Sequence, residues 1–164
     1  RVVGRAYGPI LAALYAVPSV IWYPSLMLFF GLGPASKIAF GVLLGFFPIA
    51  LSVLAGIRQV PGTLVTVARS MGARPFTVFY KVMLPAMAST MVGGLRAGLA
   101  LSVVGVLVGE ILGARAGVGY AINYAYGLMM TREYTVLALL AAAAVLALDA
   151  AGAFVEARVK RWAA

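Results

Sequence analysis

Residues 58–88 read RQVPGTLVTVARSMGARPFTVFYKVMLPAMA, and they decide the fold because they separate two long apolar runs without being apolar enough to continue them. A stretch carrying Arg58, Arg69, Arg74 and Lys81 does not cross a hydrocarbon layer. Nor is it a plain linker. Pro61 suits a first helical turn, residues 63–71 have helical spacing, Gly72 suits the left-handed residue that closes a helix, and Pro75 suits the opening of another. The expectation is a helix, a tight turn and a second helix. Leu64, Val67, Ala68 and Met71 recur at spacings of three and four, which gives the first helix one apolar face in an aqueous setting. Such a face calls for a cover, either the bilayer surface or a groove on another protein.

Outward from this loop the chain reads as membrane. Its 164 residues are 64% hydrophobic and 10% charged, where a soluble domain has about 25% charged residues. One small core has no room for so many apolar side chains. Segments of about 20 residues, enough to span the hydrocarbon layer, fall at 9–32, 38–57, 89–112 and 134–155. The expected fold class is therefore all-α, a single polytopic domain over residues 1–164. Pro18, Pro24 and Pro48 lie inside the first two segments and are expected to kink them.

Basic residues are retained near span ends on the cytoplasmic side. Arg1, Arg5, Arg58, Arg69, Arg74, Lys81, Arg158, Lys160 and Arg161 share one set of flanks, while the opposite set holds only Lys37, Arg115 and Arg132. Loop 58–88 and both ends are thus assigned to the inside, and segment 113–133 to the outside. Trp22, Tyr23, Tyr120, Tyr124, Tyr126 and Trp162 sit where interfacial aromatics anchor a helix.

The third span carries Gly94, Gly98, Ser102, Gly105, Gly109 and Gly113 at spacings of three and four. These positions fall within an arc of about 100°, a stripe of small residues that lets another helix backbone approach. Arg96 and Glu110 lie on the opposite side, about 21 Å apart along the axis. Each either reaches a headgroup layer or faces protein or a water-filled path. Asp149, in the last span, is expected to pair with Arg158 or Lys160 or to reach the interface.

Several functions drop out. Without cysteine or histidine the chain has no disulfide, no thiol nucleophile, no imidazole base and none of the common zinc ligands. Its 13 basic residues against 4 acidic ones are scattered between apolar runs, which speaks for a membrane and against a nucleic acid. The run at 113–119, GARAGVG, lacks the lysine of a phosphate-binding loop, so no ATP chemistry is expected in this chain. A self-contained small transporter or channel using Glu110 stays open as an alternative, whereas a membrane enzyme lacks the groups it would need.

Loop 58–88 resembles the EAA loop of ABC importer permeases, whose pattern is Glu-Ala-Ala, three residues, Gly, nine residues, Ile, one residue, Leu-Pro. Here it reads Thr66-Val67-Ala68, then Gly72, then Val82, then Leu84-Pro85, with Thr66 where the family usually has Glu. The segments PSLMLFFGLGPASKIAFGVLLGFFPI, LRAGLALSVVGVLVGEILGARAGVGYAI and TREYTVLALL are similar to the nitrate, sulfonate and taurine group of these permeases. The resemblance implies a type I importer permease fold in the bacterial or archaeal plasma membrane, with one or two further helices ahead of Arg1. It also implies a coupling helix, docked to an ABC ATPase subunit through Leu64, Thr66, Val67, Ala68, Met71, Gly72, Leu84 and Pro85. Further implied partners are an extracytoplasmic substrate-binding protein, for which segment 113–133 is the docking candidate, and a second permease subunit forming a dimer. ATP and magnesium would belong to the ATPase.

Overall fold

The structure, a computed structural model, describes residues 2–163, with side chains described from 8 to 159. Arg1, Arg5, Lys160, Arg161 and Trp162, read above as flank charges and an anchor, fall outside the described side chains. The helices are α1 (Val2–Ala16), α2 (Trp22–Phe30), α3 (Pro34–Gln59), α4 (Gly62–Ser70), α5 (Pro75–Val78), α6 (Leu84–Gly113), α7 (Val118–Gly127) and α8 (Thr131–Ala163). A 3-10 turn over Ser19–Ile21 precedes α2, and a π turn over Phe79–Met83 joins α5 to α6. No strand occurs among the described residues.

Three helical stretches are long and apolar enough to cross a membrane: Pro34–Gln59, Pro75–Gly113 and Thr131–Val159. The segment expected to be a first span is instead a pair of helices, Gly8–Ala16 and Ser19–Phe30, bent by 73°. Counting the pair as one broken span gives four. The three prolines expected to kink these segments act differently because they occupy different surroundings. Pro18 takes an extended conformation at the junction and ends α1. Pro24 falls in the first turn of α2, where its missing N–H has no intrahelical partner to lose. Pro48 lies inside an unbroken α3, pressed against α6 at Gly94, where a neighbouring helix supports the disturbed turn.

The third span also starts earlier than its apolar run. Its helix continues from Pro75 without a sharp bend, so the second half of loop 58–88 is the base of a membrane helix. Pro85, near the start of α6, has no N–H to give to the carbonyl one turn back. The wider π turn over Phe79–Met83 takes up its ring and lets the helix continue.

α3 and α6 form the most extensive helix pair. Gly94, Gly98, Gly105 and Gly109 of α6 are buried, as are Gly41, Gly45 and Gly56 of α3. A Cβ on Gly98 would come within 2.7 Å of the Gly45 carbonyl oxygen, and one on Gly41 within 2.8 Å of the Ser102 carbonyl oxygen. The two backbones come into contact at these glycines, with side chains such as Ile49, Ser52 and Ser102 seated over them. This close packing of small residues replaces the hydrophobic drive that lipid removes. The matching stripe on α3 was signalled by Gly41 and Gly45, four residues apart in GVLLG, and by Ser52 and Gly56.

The outer surface is oily. Leu28, Phe29, Leu139 and Leu146 are all exposed, and no residue in the span of α8 is buried. These are side chains for the bilayer to cover.

Candidate functional site

Helix α4 ends by the geometry its sequence announces. Gly72 has φ +78°, its N–H donates to the Arg69 carbonyl at 2.9 Å, and the Ala73 N–H donates to the Ala68 carbonyl at 3.1 Å. This pair of bonds is the Schellman closure, which takes up carbonyls that a helix end leaves open. Pro75 then starts α5. The turn fixes α4 beside α5 and the π turn, against which it packs.

The face expected to be apolar divides in two. Ala68 is buried, while Leu64, Val67 and Met71 are exposed, Met71 at 77%. Their Cα positions span about 60° of the helix, at 100° per residue. Thr66 is exposed, and its hydroxyl donates to the Gly62 carbonyl within its own helix at 3.0 Å. It holds no partner from elsewhere in the fold through that bond. Leu84 and Pro85 are half-buried in the first turn of α6, behind the π turn. The sequence reading passed over Phe76, 73% exposed, whose ring centroid lies 4.9 Å from that of Tyr80. Two aromatic residues four apart in a polar loop were the available signal. Leu64, Val67, Met71 and Phe76 are thus all exposed apolar side chains of this loop, with Arg69, Arg74 and Lys81 exposed in the same segment.

At the other end of α6 polar groups join helices to one another. Lys37 is 7% exposed, and its Nζ donates to the carbonyls of Leu32 at 2.6 Å, Gly33 at 3.0 Å and Gly113 at 3.1 Å. All three of its protons are used. Its charge meets the last carbonyls of α6, where the helix dipole is negative. Tyr23 is buried and its hydroxyl donates to the Gly109 carbonyl at 2.6 Å. Glu110 accepts from the Gly119 N–H at 2.7 Å and so caps the start of α7. The Cβ of any residue replacing Gly119 would run into the Leu107 carbonyl, so α7 and α6 touch through their backbones. Lys37, Glu110 and Arg115 line a cleft of about 470 Å³ between the α2–α3 turn and residues 114–116.

Arg96 and Glu110, grouped above as polar residues of one helix face, have separate surroundings. Arg96 Nε donates to Asp149 Oδ1 at 2.7 Å and Nη2 to Oδ2 at 2.5 Å, while Nη1 donates to Glu156 Oε2 at 3.1 Å. Asp149 thus meets Arg96, which corrects the expected pairing with Arg158; Lys160, the other expected partner, lies outside the described side chains. Arg158 is nine residues further along α8, about 13 Å of helix axis, whereas Arg96 presents a planar fork to both carboxylate oxygens.

Residues 1–162 match the family described as binding-protein-dependent transport system inner membrane component. The taurine transport system permease of Escherichia coli is 35% identical over 88 residues, covering 54% of this chain and 32% of that protein. A riboflavin transport system permease of Chloroflexus aurantiacus is 35% identical over 92 residues, 56% of this chain and 34% of its own length. A formylaminopyrimidine transport permease of Halalkalibacterium halodurans is 36% identical over 94 residues, 57% and 38% respectively. The match spans about a third of the length of these curated relatives.

Proposed function

The chain belongs to the family of binding-protein-dependent transport system inner membrane components, a multi-pass protein of the plasma membrane, and on that premise we propose how it works within an ABC importer. Its permease subunit forms a translocation path with a second subunit, a copy of itself or a close relative. Helix α4 seats in a cleft of a separate ATPase, which binds ATP and magnesium. An extracytoplasmic binding protein delivers the solute at the end where α7 lies. The relatives are named for solutes as different as taurine, riboflavin and a formylaminopyrimidine. For this chain the similarity of its flanking segments to the sulfonate, taurine and nitrate group favours a small anion of that kind or a small nitrogen compound.

One observation carries the docking reading. The strip Leu64, Val67 and Met71 is exposed on a helix that a glycine turn holds rigidly against the base of a membrane span. An apolar helix face set on a lever suits a partner that moves it, which is how a rigid-body switch is driven. Binding by shape and apolar contact also fits the absence of a carboxylate at Thr66. The test is uptake by proteoliposomes carrying the full-length permease with its genomic neighbours. ATP-dependent uptake that needs both the ATPase and the binding protein supports the reading. Uptake by the permease alone refutes it. Gly72→Arg, which forces a side chain into a left-handed conformation at φ +78°, is expected to release the ATPase.

A further inference from the structure

α8 lacks the close contact that fixes α3 against α6. No residue of its span is buried, and its apolar contacts with α6 are worth little more than contacts with lipid. Beside its packing on α6 and α7, α8 is tied to α6 by an ion cluster. Asp149 and Glu156 stand seven residues apart, two turns on one face of α8, and the Arg96 guanidinium bonds to both. Two attachment points along the axis resist both sliding and turning, which a single pair would not.

The surroundings are cut to fit these groups. Gly152 lies under the Arg96 stem, where a Cβ would stand 3.0 Å from Cγ, and Gly93 lies beside Glu156, where a Cβ would stand 3.5 Å from Oε1. Gly152 thus leaves room for the Arg96 stem, while Gly93 stands at ordinary contact distance from the Glu156 carboxylate. Arg96 is also on a continuous lever, since the helix from Pro75 to Gly113 has no sharp bend and α4 packs against its base.

We propose that Arg96 is a positioning residue for transport. By gripping Asp149 and Glu156 it makes α8 move together with α6, so that a displacement of α4 reaches a helix that α4 does not hold directly. This rests on the permease reading and adds to it the route by which the last span is driven.

The test compares wild type with Arg96→Gln in the reconstituted complex of full-length permease, ATPase and binding protein, measuring solute transported per ATP hydrolysed. The variant is expected to assemble and hydrolyse ATP while that ratio falls about tenfold, the scale of a coupling free energy between two sites. Exchanging the charges, Arg96→Asp with Asp149→Arg, is expected to recover part of it. An unchanged ratio overturns the proposal, whether both activities stay level or fall in proportion. Should Arg96→Gln fail to assemble, Glu156→Gln, which keeps the Asp149 fork, is read in its place: a lowered ratio supports the clamp and an unchanged one overturns it. Wild-type complex without ATP-driven uptake would refute the permease reading itself, an outcome independent of any Arg96 variant.

Discussion

Helix α6 is held on two sides by opposite means. Against α3 its backbone closes to contact at glycines, and positions such as Gly98 and Gly41 have no space for a methyl group. Against α8 it has room and fills it with one guanidinium and two carboxylates. Shape fixes the first pair at turn after turn, whereas charge ties the second where Arg96 meets Asp149 and Glu156. A seam of small residues tolerates no displacement without losing contact, since close-packed interiors do not deform smoothly. An ionic clamp keeps two helices in register while most of their surface remains exchangeable with lipid. The difference separates a fixed α3–α6 body from a helix attached to it.

Breaking the seam should have the largest effect. Gly98→Leu drives a side chain into Ile49 and the Gly45 carbonyl, and is expected to cost about 3 kcal/mol, read as a drop in melting temperature of the purified protein and in its level in the membrane. Lys37→Met comes next. It takes the ammonium donor from the Leu32 and Gly113 carbonyls, while Gly33 keeps the Ser36 hydroxyl, at about 2 kcal/mol, and should show as faster amide exchange in residues 31–33 and 113–117.

Arg96→Gln should destabilise the fold less than either, because the Arg96 and Asp149 side chains are about a third exposed. Equal melting losses for Arg96→Gln and Gly98→Leu would erase the contrast between clamp and seam. Gly33→Ala is the smallest, near zero, since nothing lies within 4 Å of the added methyl and the carbonyl that Lys37 uses is unchanged.

What was legible in the sequence was local. The closure at Gly72 and the start at Pro75 depend on residues within one turn of each other, and the small-residue stripe of α6 needs only its own spacing. Contacts set by the arrangement of helices were not legible. Lys37 meets Gly113 across 76 positions, and Arg96 meets Asp149 across 53. Nothing near Asp149 announces that α6 is its neighbour, so a basic residue on its own helix looked like the natural partner. Prolines 18, 24 and 48 are alike as letters, yet their effects differ with distance from a helix start and with what packs beside them. Of the exposed apolar residues in loop 58–88, Leu64, Val67 and Met71 followed from periodicity, while Phe76 was hidden because the helix that carries it runs on into a membrane span.

The central claim is that the exposed strip of α4 is the seat of the ATPase, and Val67→Asp tests it most directly. Val67 is 57% exposed, so a carboxylate there leaves the fold intact but puts a charge into an apolar contact. The full-length variant, purified with its co-expressed ATPase, is predicted to melt at the wild-type temperature and to have lost the ATPase. An ATPase that remains bound, with hydrolysis still stimulated by the loaded binding protein, would contradict the account.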